Sequence, residues 1–90
     1  MPRITMHGQI DMHTAPDILS GLAGQLRASE ALRLDLSQVT WIDSAGLASL
    51  VRLLAEARRM GSDVILERIS DVVRRMIRLA RLDGLFPVAA

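Results

Sequence analysis

Three groups of residues have types and spacings that could do chemistry. The first is Asp43-Ser44-Ala45-Gly46-Leu47. A carboxylate followed by a hydroxyl, after the apolar Val39-Thr40-Trp41-Ile42 and before an apolar-periodic stretch, marks a helix start. Asp43 would cap it, with Ser44 in the first turn. Gly46 is intrinsically poor so early in a helix and points to backbone that must stay closely accessible. On residue types alone, Ser44 has two readings. It is part of a plain helix start, or it presents a hydroxyl at the C-terminal edge of a sheet, where α/β proteins place their sites.

The second group is His7, Asp11 and His13, an imidazole–carboxylate–imidazole trio around a turn. Nothing in the sequence supplies the ordered outer shell that metal ligands need, so it reads as two solvent-side histidines and no metal site is assigned. The third is Arg74, Arg75, Arg78 and Arg81. A cationic helix face could take a phosphate or an acidic protein, although a solvated face is the plainer reading. There is no Walker loop, no GxGxxG and no GxSxG. No nucleophile and base stand at a recognisable spacing, so no catalytic residue and no cofactor is assigned.

These groups must be held by a small scaffold. The chain has 90 residues, half of them hydrophobic, 23% charged, with a formal net charge of +1. That length reads as one domain over 1–90. A domain this size buries roughly 60–65% of its unfolded surface and has little room for a deep cavity. Disulfides and thiolate metal sites are excluded because there is no cysteine. Every basic residue is Arg, and Trp41 and Phe86 are the whole aromatic set. Without aromatic platforms or a strong positive field, nucleic-acid binding is not expected. The N-terminus has no signal-peptide pattern, and no apolar run approaches the ~20 residues of a membrane helix. The cytoplasm is the expected compartment, without membrane insertion.

The elements alternate. Arg3 to Ile10 reads as a strand, with Ile4, Met6 and Gly8 on one side. Thr14-Ala15-Pro16-Asp17 starts a helix capped by Thr14, with Leu19, Leu22, Ala23 and Leu26 inward. Gly21 and Gly24 weaken it unless they permit a close approach. Ala31 to Leu36 is a strand. Ser37-Gln38 breaks it, and Val39 to Ile42 extends it or crosses the sheet end. The Asp43 helix buries Leu47, Leu50, Val51 and Leu54, pairs Arg52 with Glu56, and closes at Gly61. Val64 to Leu66 is a short strand. Ser70 caps a third helix with Val73, Met76, Ile77 and Ala80 inward, ended by Gly84. Leu85 to Val88 is a last short strand or tail. The order β-α-β-α-β-α-β predicts a small α/β fold with a mostly parallel four-stranded sheet and about three helices.

Ordered pieces of this pattern resemble the STAS domain family, which includes bacterial anti-sigma factor antagonists. Gly8-Gln9-Ile10-Asp11 resembles the family's Gly-x-hydrophobic-Asp turn, and Thr14-Ala15-Pro16 its first helix start. Leu34-Asp35-Leu36-Ser37, Val39, Ile42 and Asp43-Ser44-Ala45-Gly46-Leu47 resemble its signature strand and switch loop. Ala57 to Gly61 and Leu82 to Val88 resemble later segments. The resemblance spans nearly the whole chain. It implies phosphorylation of Ser44 by an anti-sigma factor that is also a serine kinase. It further implies partner binding by Asp11, Asp43, Ser44, Ala45, Gly46 and Leu47. Unphosphorylated protein would bind the anti-sigma factor and free a sigma factor; phosphorylated protein would let go. Small subunits of lipid-transport ABC complexes resemble STAS domains too, which makes an ATPase subunit the alternative partner. The family usually has a further strand before Gly8 and a helix after the last strand, neither present here in full. An uncovered sheet edge is therefore expected, which invites a homodimer or a covering partner.

Overall fold

The computed structural model describes residues 3–87. The elements are β1 (Arg3–Ile10), α1 (Ala15–Ala23), β2 (Leu32–Ile42), α2 (Ser44–Arg59), β3 (Val64–Ile69) and α3 (Asp71–Leu79). The sheet runs β1-β2-β3 and both pairings are parallel. Among the described residues the sheet has three strands where four were expected. The chain turns through Asp83 to Phe86, and among the described residues one ladder bond follows, from the Leu66 N–H to the Pro87 carbonyl at 2.9 Å. Proline has no N–H to continue that ladder. Val88 lies outside the described residues.

β2 is one long strand rather than a strand and a break. Thr5 pairs with Asp35 but His7 with Gln38, and Gly8 pairs with Val39 but Gln9 with Trp41. The two extra residues are bulges in β2, and each shifts its inward phase by one. Hence Leu32, Leu34 and Leu36 are buried two apart, then Val39 and Ile42 three apart. Asp35 supports the first bulge: its carboxylate accepts from the Ser37 N–H at 2.9 Å and the Ser37 hydroxyl at 2.6 Å. These bonds hold its carboxyl below the usual range.

One sheet face is buried and shares a core with the helices, including Ile10, Leu36, Ile42, Leu50, Leu53 and Val73. The other face carries polar residues. There Glu67 of β3 takes Arg33 of β2 and Arg3 of β1, each at 2.9 Å. The Arg33 hydrogen bond is the main cause of the lowered Glu67 pKa; Glu67 itself is largely covered, while the Arg3 side chain reaches solvent, which screens its share of the cluster.

α1 packs on α2, and α3 packs chiefly on β2. Ala23 and Ala80, placed inward by periodicity, are exposed. Leu53 and Ala57 are buried beside Leu47, Leu50 and Leu54, while Val51 is half-buried. Gly61 stops α2 as expected. Its φ is 73°, its N–H reaches the Arg58 carbonyl, and the Ser62 N–H reaches that of Ala57. The Arg52–Glu56 pair does not form. Glu56 pairs with Arg59, one turn on, and Arg52 has no ion pair among the described residues. Neither Thr14 nor Ser70 caps with its side chain. Gly21 has nothing within 4 Å of where a Cβ would sit, so no close approach explains it.

Candidate functional site

The parallel sheet brings the C-terminal ends of β1 and β2 side by side. Two loops leave there: Asp11 to Thr14 from β1, and Asp43 from β2 into α2. The Asp43 N–H donates to the last carbonyl of β1, Ile10, at 3.2 Å. Its backbone is extended, and its side chain turns back over the helix start. Asp43 Oδ1 accepts from the Gly46 N–H at 2.8 Å, the expected cap. Asp43 Oδ2 accepts from the Met12 N–H at 3.2 Å. One carboxylate thus caps α2 and ties the β1–α1 loop to it.

Asp11 organises the other loop. Its Oδ1 accepts from the backbone N–H groups of His13 at 2.9 Å and Thr14 at 3.0 Å. Those bonds, that from Thr14 first, pull its pKa down. The Thr14 hydroxyl accepts from the Asp11 N–H and donates to the Gln9 carbonyl, both at 3.0 Å. Thr14 therefore faces back into the turn instead of capping α1.

Gly46 is buried, not exposed backbone. A Cβ there would stand 2.1 Å from the Ile10 carbonyl oxygen, so the first turn of α2 rests directly on the end of β1. Leu47 is buried in the core. Gly46 and Leu47 therefore hold the loop in place and offer a partner almost no surface. Ser44 is exposed, and Asp11, Asp43 and Ala45 are half-buried around it. Each Asp43 oxygen accepts a backbone N–H, and among the described residues no hydrogen bond joins Ser44 to this carboxylate. The arrangement displays a hydroxyl at a helix N-terminus, where backbone N–H groups and the helix dipole favour negative charge.

His7 and His13 are exposed, and among the described residues no three His, Cys, Asp or Glu side chains gather as metal ligands. Met12, 65% exposed beside Asp43, is a surface residue the sequence did not single out. Its place depends on a bond to a residue 31 positions away.

The parallel sheet with a serine at the start of α2 is the arrangement that the resemblance to the STAS family implies. Residues 1–87 match the family model described as "Mlab, STAS domain", and the chain belongs to that family. It is 35% identical over 83 residues to the anti-sigma-B factor antagonist of Listeria monocytogenes, covering 91% of this chain and 70% of that one. It is 30% identical over 83 residues to the antagonist of the same name from Bacillus subtilis, covering 92% and 73%. A shorter match, 37% over 49 residues, is to the intermembrane phospholipid transport system binding protein MlaB of Escherichia coli, covering 54% and 50%. A crystal structure of an anti-sigma factor antagonist from Mycobacterium paratuberculosis superposes with a TM-score of 0.81 at 28% identity, covering 97% and 74%. The anti-sigma factor antagonist SpoIIAA, in its unphosphorylated form, shares the fold at a TM-score of 0.78 and 19% identity, covering 98% and 78%.

Proposed function

We propose that this protein is a partner-switching regulator, an anti-sigma factor antagonist acting in the cytoplasm by binding rather than catalysis. Its unphosphorylated form binds an anti-sigma factor that is also a serine kinase, and thereby frees a sigma factor. Phosphorylation of Ser44 releases it. Ser44 and Ala45 face the partner, and Asp11 and Asp43 hold the two loops that frame them. The observation that carries this reading is the exposed Ser44 at the first turn of α2, beside an Asp43 carboxylate committed to structure. The names of the relatives over most of the chain support it.

The switch follows from charge. Phosphate adds roughly −1.5 to −2 charges at pH 7. At the α2 N-terminus the dipole tolerates them, so the fold survives. Inside an interface beside Asp43, the same charge must lose water next to a like charge. About 3 kcal/mol of penalty weakens binding roughly a hundredfold. The test is incubation with the cognate kinase and ATP, followed by mass spectrometry. Phosphate mapping to Ser44 and absent from Ser44→Ala is the expected result; robust phosphorylation of Ser44→Ala removes the site.

The MlaB match favours a second reading, a small subunit of a lipid-transport ABC complex. A stable complex with an ATPase subunit on co-purification supports it, and capture of a histidine-kinase-like partner supports the first.

A further inference from the structure

The seam where α1 lies on α2 is an open trough that runs into the Ser44 loop. One part is a cavity of about 460 Å³ reaching Ala23, Ala55 and Arg59. The other, about 510 Å³, reaches Met12, Ala45 and Ala48. Pro16, Leu19 and Arg52 line both, so the two form one continuous depression. Helical periodicity explains its direction. Ser44, Ala48, Arg52, Ala55 and Arg59 fall at i, i+4, i+8, i+11 and i+15, one stripe of α2 that extends ~22 Å at 1.5 Å per residue. The stripe starts at the switch serine.

The chemistry of the trough is uneven. Ala23, Ala48 and Ala55 are small and exposed, and leave room for another backbone to approach closely. Leu19 and Pro16 supply an apolar wall. Arg59 is neutralised by Glu56, but Arg52, midway, has no ion pair among the described residues. Both walls are helices with their own backbone bonds satisfied, so an added strand finds no ladder to join.

The geometry points to this trough as the seat of an amphipathic helix of the anti-sigma factor, with apolar side chains against Leu19 and Ala55 and a carboxylate on Arg52. This rests on the partner-switching reading above and extends it beyond the serine loop. A helix of about four turns matches the length of the stripe. A phosphate on Ser44 would stand next to Ala45 at the head of the trough and would repel the carboxylate of the docked helix.

The experiment is calorimetric titration of the full-length anti-sigma factor with the unsubstituted protein and with Ser44→Asp, Arg52→Glu, Ala55→Leu and Arg75→Glu, each checked for an unchanged melting temperature. Arg52→Glu reverses the lone cation, Ala55→Leu fills the floor, and Arg75→Glu is a charge control on α3. Arg52→Glu and Ala55→Leu should each weaken binding about tenfold or more, and Arg75→Glu less than about twofold. If Ser44→Asp weakens binding while Arg52→Glu and Ala55→Leu stay within about twofold, the trough is not the seat and the switch reading stands. If the unsubstituted protein does not bind, the switch reading and the trough fall together.

Discussion

Gly46→Ala sets two physical expectations against each other. Helix propensity alone says alanine stabilises α2 by ~1 kcal/mol over glycine. The packing says the opposite. The new Cβ would stand 2.1 Å from the Ile10 carbonyl oxygen, 2.8 Å from its carbon and 3.0 Å from Ile10 Cγ2. Carbon contacts settle near ~3.5–4.0 Å, so the helix start must retreat by more than about 1 Å. The obstacle is backbone and cannot rotate away, which sets the overpacking cost near the top of its range, ~3 kcal/mol. Retreat also stretches the Gly46 N–H bond to Asp43 and the Asp43 N–H bond to Ile10, loosening a cap worth ~1 kcal/mol. After the propensity gain, the net loss is about 3 kcal/mol, or a fall in Tm of about 12–24 °C for a domain this size. Urea and thermal unfolding followed by circular dichroism measure it. Gly21→Ala is the internal control: nothing lies near that position, so it should stabilise by ~1 kcal/mol. A Gly46→Ala protein as stable as the unsubstituted one would refute the claim that α2 is seated on the β1 carbonyl.

Other outcomes are as specific. Asp43→Ala should cost about 1–2 kcal/mol in urea unfolding through the lost cap, and should speed hydrogen exchange at the Met12 amide as its acceptor goes; unchanged exchange at Met12 would separate the two loops. Asp11, Asp35 and Glu67 are all held below their ordinary values of 3.8, 3.8 and 4.5. Depressed carboxyl pKa values mean the unfolded chain takes up protons first, so their contribution is present above the ordinary values and lost as pH falls through the lowered ones. Urea midpoints should therefore drop below about pH 4, and a midpoint that rises on acidification contradicts the assignment. β1 has a free edge among the described residues, so sedimentation should show concentration-dependent dimerisation; a monomer at every concentration removes that edge as a self-association surface.

Local signals carried much of the fold into view. β1 reads directly from alternation because its phase is unbroken from Arg3 to Ile10. Asp43 reads as the α2 cap, and Gly61 as its stop, because both act within a few residues. What escaped depends on distant partners. The β2 bulges are defined only against β1, so Ser37-Gln38 looks like a break. Thr14 does not cap α1 because its hydroxyl is used inside the turn, by the Asp11 N–H and the Gln9 carbonyl. The chemistry of Gly46 was legible as an anomaly, but its cause, the Ile10 carbonyl, lies 36 positions earlier. Leu47 belongs to the motif by sequence and to the core by geometry. The α2 stripe of the trough can be read from periodicity, but its pairing with α1 cannot, since Leu19 and Arg52 come to line one depression only once the helices pack.

The most direct test of the switch compares two preparations of one protein. The cognate anti-sigma factor is titrated with unphosphorylated chain and with chain stoichiometrically phosphorylated at Ser44, and Kd is read by calorimetry. The charge argument predicts an unchanged fold and an affinity lower by about a hundredfold in the phosphorylated sample. Equal affinities for the two forms would contradict it.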